Sequence, residues 1–401
     1  MEPFTIGDAA ELAGDVGPDP RLIAVLAELD APLDVAALRA EVGARIGTLP
    51  LLGRVLTTST TRPAWDVVEP DLDWHITAIT VDDATEAVYA LLTTALPPDR
   101  PLWRLVVIEG AHTTQLAFLA HHVLLDGSTA VAVAGRLFGL ETPPPVTPGR
   151  PPWFSPLGLI AGLARPTSRT SLLTPITSGF RLVSAEVDLE RLRRTTRAAG
   201  ATVNDAVLLA VAEGIRAVAA ARGETLARVV VSVPVAGRPQ SPGGRNEVGA
   251  LVVSVPPPRG DDRHQLGRIA GRTRWRKMLA RGLAGAPSMA RLLAWLGKKG
   301  WYRGLFSRQR AITTLATNLR GPEQELILHG ARVVSLTPIS PALGNVATVF
   351  AAISYRGRLR ITARLDRSVW PDAEVLRASV QAALDRMAAD AAVGREVVRL
   401  R

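Results

Sequence analysis

Apolar and polar positions recur with two different periods in the first third of the chain. Two stretches, 33–46 and 83–96, carry apolar residues three and four positions apart, which predicts amphipathic helices. Two shorter stretches, 104–110 and 115–121, are rich in strand-forming residues, and the short segment between them predicts a hairpin. A third helix is predicted over 128–139. This order of elements indicates a mixed α/β unit.

A proline-rich stretch interrupts the pattern. Nine of the thirty-five residues from Glu141 to Pro175 are proline, which is typical of a connection between packed elements. We therefore predict a first lobe at 1–140, a crossover or linker at 141–175 and a second lobe at 176–401. A chain of 401 residues is also long for a single domain.

Helical and extended patterns return after the connection. Helices are predicted over 188–200 and 201–223, and a last helix begins near Pro371. We expect the strands to form the sheet of the second lobe; they are 228–235, 248–256, 331–338 and 347–366, the last a hairpin that turns at Arg356 and Gly357.

Composition narrows the cellular setting. The chain has no cysteine, so it has neither disulfides nor thiolate chemistry, which fits a cytoplasmic protein. Its first residues include acids where a signal peptide carries bases, and no uncharged apolar run reaches the roughly 18 residues of a membrane span. We therefore expect a soluble cytoplasmic protein that is at most peripheral at the inner face of the membrane.

The net charge of +10 is concentrated in one segment. Residues 263–310 contain thirteen Lys or Arg and no acid, with apolar residues at helical spacing. Such a basic helix pair serves as a solvated surface, a contact for anionic lipid or a contact for a polyphosphate, and our candidates for such contacts are Arg272, Arg276 and Lys277. We expect no nucleic-acid partner, because no recognition motif accompanies the charge.

Two adjacent histidines end the strand predicted at 115–121, in the stretch "HHVLLDG" (121–127). Neighbouring side chains on a strand face opposite sides, so His121 and His122 are expected to serve different tasks. That divergence argues against a metal site, and we expect none. No Gly-x-Ser-x-Gly elbow is present, whereas a lone histidine acting as a general base needs neither metal nor nucleophile.

The motif and its surroundings resemble a known superfamily. "HHVLLDG" matches the His-His-x-x-x-Asp-Gly signature of acyltransferases that include chloramphenicol acetyltransferase, nonribosomal peptide condensation domains and bacterial wax ester synthase/diacylglycerol acyltransferases. The chain resembles the last branch in "LPLLGRVL", "LDWHIT", "RPLWRLVVIEG", "TVNDAVLLAV", "TNLRGP" and "SYRGRLRITARLDRSVWPD", which fall in the family's order. The resemblance implies an α/β fold of two chloramphenicol-acetyltransferase-like lobes, each a mixed sheet with flanking helices, and an active-site tunnel between them.

The resemblance also implies roles for the motif residues. His122 would be the general base that takes the acceptor's proton, while His121 would point into the fold. Asp126 would pair with a buried arginine, for which Arg54 is the matching position and Arg104 the alternative. Gly127 would let the backbone turn tightly beside the histidine.

Weaker candidates lie in three other segments. Thr317 and Asn318, where "TNLRGP" replaces the family's Ser-Asn-Val-Pro-Gly-Pro, are candidate hydrogen-bond donors near the thioester oxygen. The spacing of Thr202 and Asp205 favours a helix cap over a direct catalytic role. The remaining family positions are Asn204, beside that cap, and Pro101, Leu102 and Trp103, which are either tunnel wall or core.

The implied reaction moves an acyl group from an acyl-CoA or acyl-carrier-protein thioester to an alcohol acceptor, by direct attack without an acyl-enzyme. Coenzyme A is then a substrate, and no cofactor is expected. Two alternatives stay open: a condensation-like enzyme of natural product biosynthesis that forms an amide or ester on a carrier-bound intermediate, and a catalytically silent protein that binds surfaces through the basic segment. We interpret the other histidines as ordinary; they are His75, His112, His264 and His329.

Overall fold

The computed structural model describes residues 2–3, 6–15, 17–57, 63–111, 113–138, 140, 166–236, 248–282, 295 and 301–396. Within these ranges the helices are α1 (Ile6–Ala13), α2 (Val35–Ile46), α3 (Leu72–His75), α4 (Ala84–Thr93), α5 (Gly127–Leu137), α6 (Leu189–Ala198), α7 (Val203–Ala221), α8 (Asp262–Gly282), α9 (Tyr302–Phe306) and α10 (Ala373–Glu396). A 3-10 turn spans Pro50–Gly53. Aspartate side chains cap several helix N-termini by accepting hydrogen bonds from backbone amides, among them Asp34, Asp83, Asp126 and Asp188.

The first large sheet lies mostly in the N-terminal half. It contains β2 (Leu22–Leu29), β5 (Ile76–Thr80), β6 (Trp103–Glu109), β7 (Thr114–His121), β12 (Ile327–Leu328) and β13 (Ala331–Ile339), in the order β12-β13-β2-β7-β6-β5. The predicted hairpin is confirmed as the antiparallel pair β6–β7. A small sheet beside it holds β1 (Glu2–Pro3), β3 (Arg54–Thr57) and β4 (Ala64–Val67).

The second large sheet contains β8 (Phe180–Asp188), β9 (Val229–Ala236), β10 (Val248–Val255), β11 (Thr314–Arg320), β14 (Thr348–Tyr355) and β15 (Arg358–Asp366). Its order is β10-β9-β11-β14-β15-β8, and β11 runs parallel to both neighbours. The hairpin β14–β15 turns where it was predicted, at Arg356 and Gly357, with φ of 44° and 75°. Positive φ at both central residues is what a two-residue hairpin turn of this kind requires.

The assignment of residues 331–338 to the second lobe was wrong. The strand is present as β13, but it pairs antiparallel with β2 and completes the first sheet. Residues 176–401 are therefore not a self-contained unit, because Ile327–Ile339 cross back to the other lobe. Most of the predicted connection, 141–165, lies outside the described residues.

Apolar faces of the helices cover both sheets. Residues of α2 and α5 pack on one face of the first sheet, while α4 packs on the other. The core of the second lobe lies between its sheet and α6, α7, α8 and α10. These layers form the two mixed-sheet lobes with flanking helices that the sequence predicts.

Polar contacts of buried side chains join the two lobes. The hydroxyl of Tyr355 on β14 accepts from the amide of Leu326 and donates to the carbonyl of Val333 on β13, at 3.0 and 2.9 Å. Arg364 on β15 forms an ion pair of 2.8 Å with Asp19, from the loop before β2. Both partners of that ion pair are largely withdrawn from solvent.

Candidate active site

The two histidines lie where β7 gives way to a short turn before α5. The side chain of Asp126 caps α5 by accepting from the amide of Thr129 at 2.7 Å and from the hydroxyl of Ser128 at 2.8 Å. This cap fixes where the helix begins, six residues after the end of β7. The motif is thus a compact strand-to-helix connection.

His121 is held inside the fold. Its Nδ1 accepts from the amide of Val123 at 3.2 Å, so its Nε2 carries the proton and donates to Asp15, 3.0 Å away. His122 is more accessible, with 17% of its side chain exposed, and its Nδ1 lies 3.2 Å from the carboxylate of Glu11. The structure thus gives the two rings different surroundings.

Helix α1 and the turn after it supply both carboxylates, which the sequence reasoning missed. Glu11 lies in α1 and Asp15 follows it, and each faces one of the histidines more than one hundred residues later in the chain. Arg21 binds both acids: its guanidinium is 2.8 Å from Glu11, and its amide donates to Asp15 at 3.3 Å. The five side chains form one network at the end of β7.

Both acids of this network are ionised at neutral pH. Burial alone raises the pKa of Glu11, but the guanidinium of Arg21 and the adjacent ring of His122 outweigh it and lower that pKa to about 2. Burial likewise raises the pKa of Asp15, and the hydrogen bond from His121 outweighs it, so the net shift is downward.

The predicted ion pair between Asp126 and Arg54 is not formed among the described residues. Both side chains are buried, yet the carboxylate of Asp126 is engaged by the first turn of α5. The alternative partner, Arg104, donates to Thr77 at 2.8 Å and stacks over the ring of Trp74. The local cap therefore replaces the long-range pair.

The end of β11 in the second lobe faces the motif. A Cβ on Gly127 would lie 3.4 Å from the side chain of Leu319, so a larger residue there would press on the other lobe. Alternation along β11 places Thr317 on the face of Leu319, which packs on the first-lobe core. Asn318 lies on the opposite face, like Ala316 of the second-lobe core, so the strand separates the two candidate donors.

The other family positions are structural. Thr202 and Asp205 form the predicted capping box of α7, and Asp205 also accepts from Thr273 at 2.8 Å; Asn204 adjoins this cap. Trp103 is fully buried with Pro101 and Leu102 around it, and its indole donates to the carbonyl of Leu52 at 2.7 Å. Leu102 and Trp103 therefore belong to the core of the first lobe, and Pro101 is buried next to them in the chain.

The remaining histidines have ordinary surroundings. His75 stacks on Trp103, and burial lowers its pKa to about 4, so it is neutral at physiological pH. His264 is exposed, and His329 pairs with Glu41 at 2.7 Å. His112 lies outside the described residues.

An apolar pocket lies along α5, the helix that begins at the motif. Its wall combines α5, at Val131 and Ala134, with β7 at Phe118 and with Pro322 and Ile353 from the second lobe. Phe118 stands four residues before His122, which corresponds to about 13 Å along a strand. The pocket is therefore an apolar space between the lobes, lined by the strand that leads to the histidine.

Two sequence models of one family match the chain. The model of the wax ester synthase/diacylglycerol acyltransferase catalytic domain matches residues 22–157, and the C-terminal domain model of the same family matches 245–388. Together they span well over half of the chain. The chain belongs to the wax ester synthase/diacylglycerol acyltransferase family. It is an acyltransferase, as the motif predicts.

Relatives and solved structures agree with the family assignment. A probable diacylglycerol O-acyltransferase of Mycobacterium tuberculosis, tgs1, is 27% identical over 388 residues, which cover 82% of this chain and 81% of the relative. The wax ester synthase/diacylglycerol acyltransferase structure from Marinobacter aquaeolei VT8 has a TM-score of 0.69 at 20% identity and covers 97% of this chain and 100% of its own. The first condensation domain of the calcium-dependent antibiotic synthetase scores 0.68 at 16% identity, covering 98% and 96%.

The basic segment of this family member is described only in part. Arg272 and Lys277 lie exposed on α8, and Arg276 lies beside the ring of Trp275. The apolar positions Leu266 and Ile269 are buried, while the later ones, 279 to 296, fall on side chains outside the described set. No helix in the described ranges is long and apolar enough to span a membrane, and no group of acids and histidines there is arranged to hold a metal ion.

Proposed function

We propose that the protein transfers an acyl group from a coenzyme A thioester to an alcohol, with His122 as the general base. The observation that carries this proposal is the position of His122, which is partly exposed at the end of β7, has a carboxylate 3.2 Å from its Nδ1, and follows the strand whose Phe118 lines an apolar pocket between the lobes. A base in such a place contributes about 10²–10⁴ in rate.

The reaction needs no covalent enzyme intermediate. His122 takes the hydroxyl proton as the acceptor oxygen bonds to the thioester carbon, the C–S bond then breaks, and the proton passes to the leaving thiolate. Thr317, on the face of β11 that looks toward the motif, is the remaining candidate donor to the carbonyl oxygen as negative charge develops there.

The apolar pocket fits the hydrocarbon part of a substrate. Its lining residues carry no charged side chain, so a long acyl chain buried there would leave no polar group unsatisfied. We therefore assign the pocket to the acyl chain of the donor, and coenzyme A is a substrate rather than a cofactor.

The deciding experiment is an assay of free thiol release with acyl-CoA thioesters of increasing chain length. Long-chain alcohols and diacylglycerol are tested first, because relatives are named as diacylglycerol O-acyltransferases and wax ester synthases. Amines and a carrier-protein thioester form the second arm, which represents a condensation-like reaction. Thiol release that no alcohol stimulates would contradict the proposal.

We predict that His122→Ala lowers kcat by at least about a hundredfold, because the acceptor loses its base. The melting temperature should change little, since the ring is partly exposed. His329→Ala is the matched control, because it removes another histidine paired with a glutamate far along the chain. Wild-type turnover by His122→Ala would exclude this mechanism.

We further propose that the exposed face of α8, together with Trp295 and Trp301, contacts anionic lipid at the inner face of the membrane. Large apolar side chains are exposed beside cations there: Trp275 is 51% exposed and Met278 60%, next to Arg276 and Lys277. Trp301, also exposed, stacks edge-on against Trp295. Aromatic anchors among basic residues are typical of proteins that lie on a bilayer surface.

We predict that the protein binds vesicles containing phosphatidylserine at low salt but not neutral vesicles, because each nearby cation contributes about 1 kcal/mol to the attraction. Trp275→Ala with Met278→Ala should reduce binding, whereas Val67→Ala, an exposed apolar residue beside Asp66, should not. If vesicles do not bind, and salt instead raises KM for coenzyme A thioesters alone, the segment serves the donor's phosphates.

A further inference from the structure

The first helix of the chain is placed against the catalytic motif. Glu11 of α1 lies 3.2 Å from Nδ1 of His122, and both side chains are mostly withdrawn from solvent. The backbone places the ring as well, because the amide of His122 donates to the carbonyl of Arg21 at 2.8 Å. The position of the imidazole is thus determined from two sides.

The carboxylate is itself fixed. Arg21 binds Glu11 at 2.8 Å, and its amide donates to Asp15, so the acid that faces His122 and the acid that faces His121 share one anchor. The charged groups that face His122 in this network are Glu11 from α1, Arg21 from the start of β2, and the His121–Asp15 pair.

The two histidines have different groups beside Nδ1. The amide of Val123 donates to Nδ1 of His121, which places the proton of that ring on Nε2. A carboxylate oxygen of Glu11 lies 3.2 Å from Nδ1 of His122. An acceptor at that position favours the tautomer of His122 that has its proton on Nδ1.

We propose that Glu11 is a positioning residue that accepts the Nδ1 proton of His122, so that Nε2 is the nitrogen that takes the proton of the acceptor. This rests on the proposed role of His122 as the base. When Nε2 binds that proton the ring becomes an imidazolium, and the adjacent carboxylate stabilises its charge until the proton passes to the leaving thiolate. The pairing of residues 11 and 122 is therefore part of the catalytic machinery.

The first test is kinetic. Glu11→Gln keeps the size of the side chain and removes its charge, and it should lower kcat at least about tenfold while KM for the thioester stays within about twofold. Glu41→Gln is the matched control, because Glu41 faces His329 in the same kind of pair away from the motif. Wild-type kcat in folded Glu11→Gln would overturn the proposal.

The second test needs no turnover. In protein labelled with ¹⁵N-histidine, the neutral ring of His122 should carry its proton on Nδ1, and Glu11→Ala should convert it to a mixture of tautomers. His122→Ala identifies the resonances. A wild-type ring with its proton on Nε2 would overturn the proposal even if the enzyme is fully active. Correct tautomers without any thiol release would instead overturn only the proposed acyl transfer.

Discussion

At the scale of single residues, the carboxylate of Asp126 illustrates how a local contact replaces a distant one. Its Oδ1 accepts from the hydroxyl of Ser128 and the amide of Thr129, two and three residues later, which closes the first turn of α5. A cap of this kind contributes about 1 kcal/mol, whereas breaking a buried ion pair costs about 3–5 kcal/mol. The loss of unfolding free energy when Asp126 is removed therefore distinguishes a helix cap from a buried ion pair.

We predict that Asp126→Ala lowers the free energy of unfolding by about 1–2 kcal/mol, because it removes the cap. Asp126→Ser should recover most of the loss, since serine also caps helices. Chemical denaturation measures both. In a double-mutant cycle with Arg54→Ala, the two losses of unfolding free energy should add. A coupling energy above about 2 kcal/mol would instead show that Asp126 and Arg54 form the ion pair.

Local signals in the sequence predict local features of the site. The alternation of side chains correctly separated His121 from His122, and the spacing of Thr202 and Asp205 identified the cap of α7. Glu11 and Asp15 carried no such signal, because their partners lie 106 or more residues away and an acid in a short helix resembles any solvated acid. Only the tertiary fold makes these pairs visible.

At the scale of elements, α5 connects the motif to the apolar pocket. The helix begins at the cap beside the histidines, and its inner face forms one wall of the pocket at Val131, Ala134 and Gly135. A change of side-chain volume on that face therefore alters the space for a chain without touching the histidines. The opposite face of the same helix offers a control.

We predict that Ala134→Leu shifts the preferred acyl chain to shorter lengths, because the added carbons occupy the pocket. The ratio of kcat/KM for long over short acyl-CoA should fall about 10-fold, while turnover of the short donor persists. Ala132→Leu, on the same helix but outside the pocket wall, should leave the ratio unchanged. An equal loss for all chain lengths would show that the pocket does not hold the acyl chain.

Strand pairing is the part of the fold that periodicity could not predict. The pattern located β13 almost to the residue but not its neighbour, because a period of two identifies a strand and says nothing about its partner. Several strands were not predicted at all, among them β2, β5, β8 and β11. Strand β2 is buried at most of its positions, so it lacks the alternation that marks a half-exposed strand.

At the scale of the whole molecule, the two lobes share a buried ion pair. Arg364 and Asp19 come from opposite halves of the chain, and the guanidinium also stacks on Phe180 at 4.2 Å. Burial raises the pKa of Asp19, although Arg364 opposes that shift. The ion pair therefore fixes how the two lobes are oriented more than it adds to the free energy of unfolding.

We predict that Arg364→Met destabilises the protein by about 3–5 kcal/mol, because Asp19 is left as an unpaired buried charge. Adding Asp19→Asn should recover most of this loss. In the single variant the folded-state pKa of Asp19 lies above its unfolded value, so the loss should be smaller at pH 5 than at pH 8. Thermal unfolding at the two pH values measures the stability lost by Arg364→Met. Equal losses of stability at pH 5 and pH 8 would contradict the prediction.

The crossing of β13 has a consequence for synthesis of the chain. The edge of β2 remains without its neighbour until residue 339 has left the ribosome, long after the rest of the first sheet has been made. An apolar strand of eight residues with one open edge invites pairing with another chain during that interval. Nascent chains of this enzyme should therefore depend on chaperones more than their final stability suggests, and a ribosome paused shortly before residue 331 should hold its most aggregation-prone intermediate.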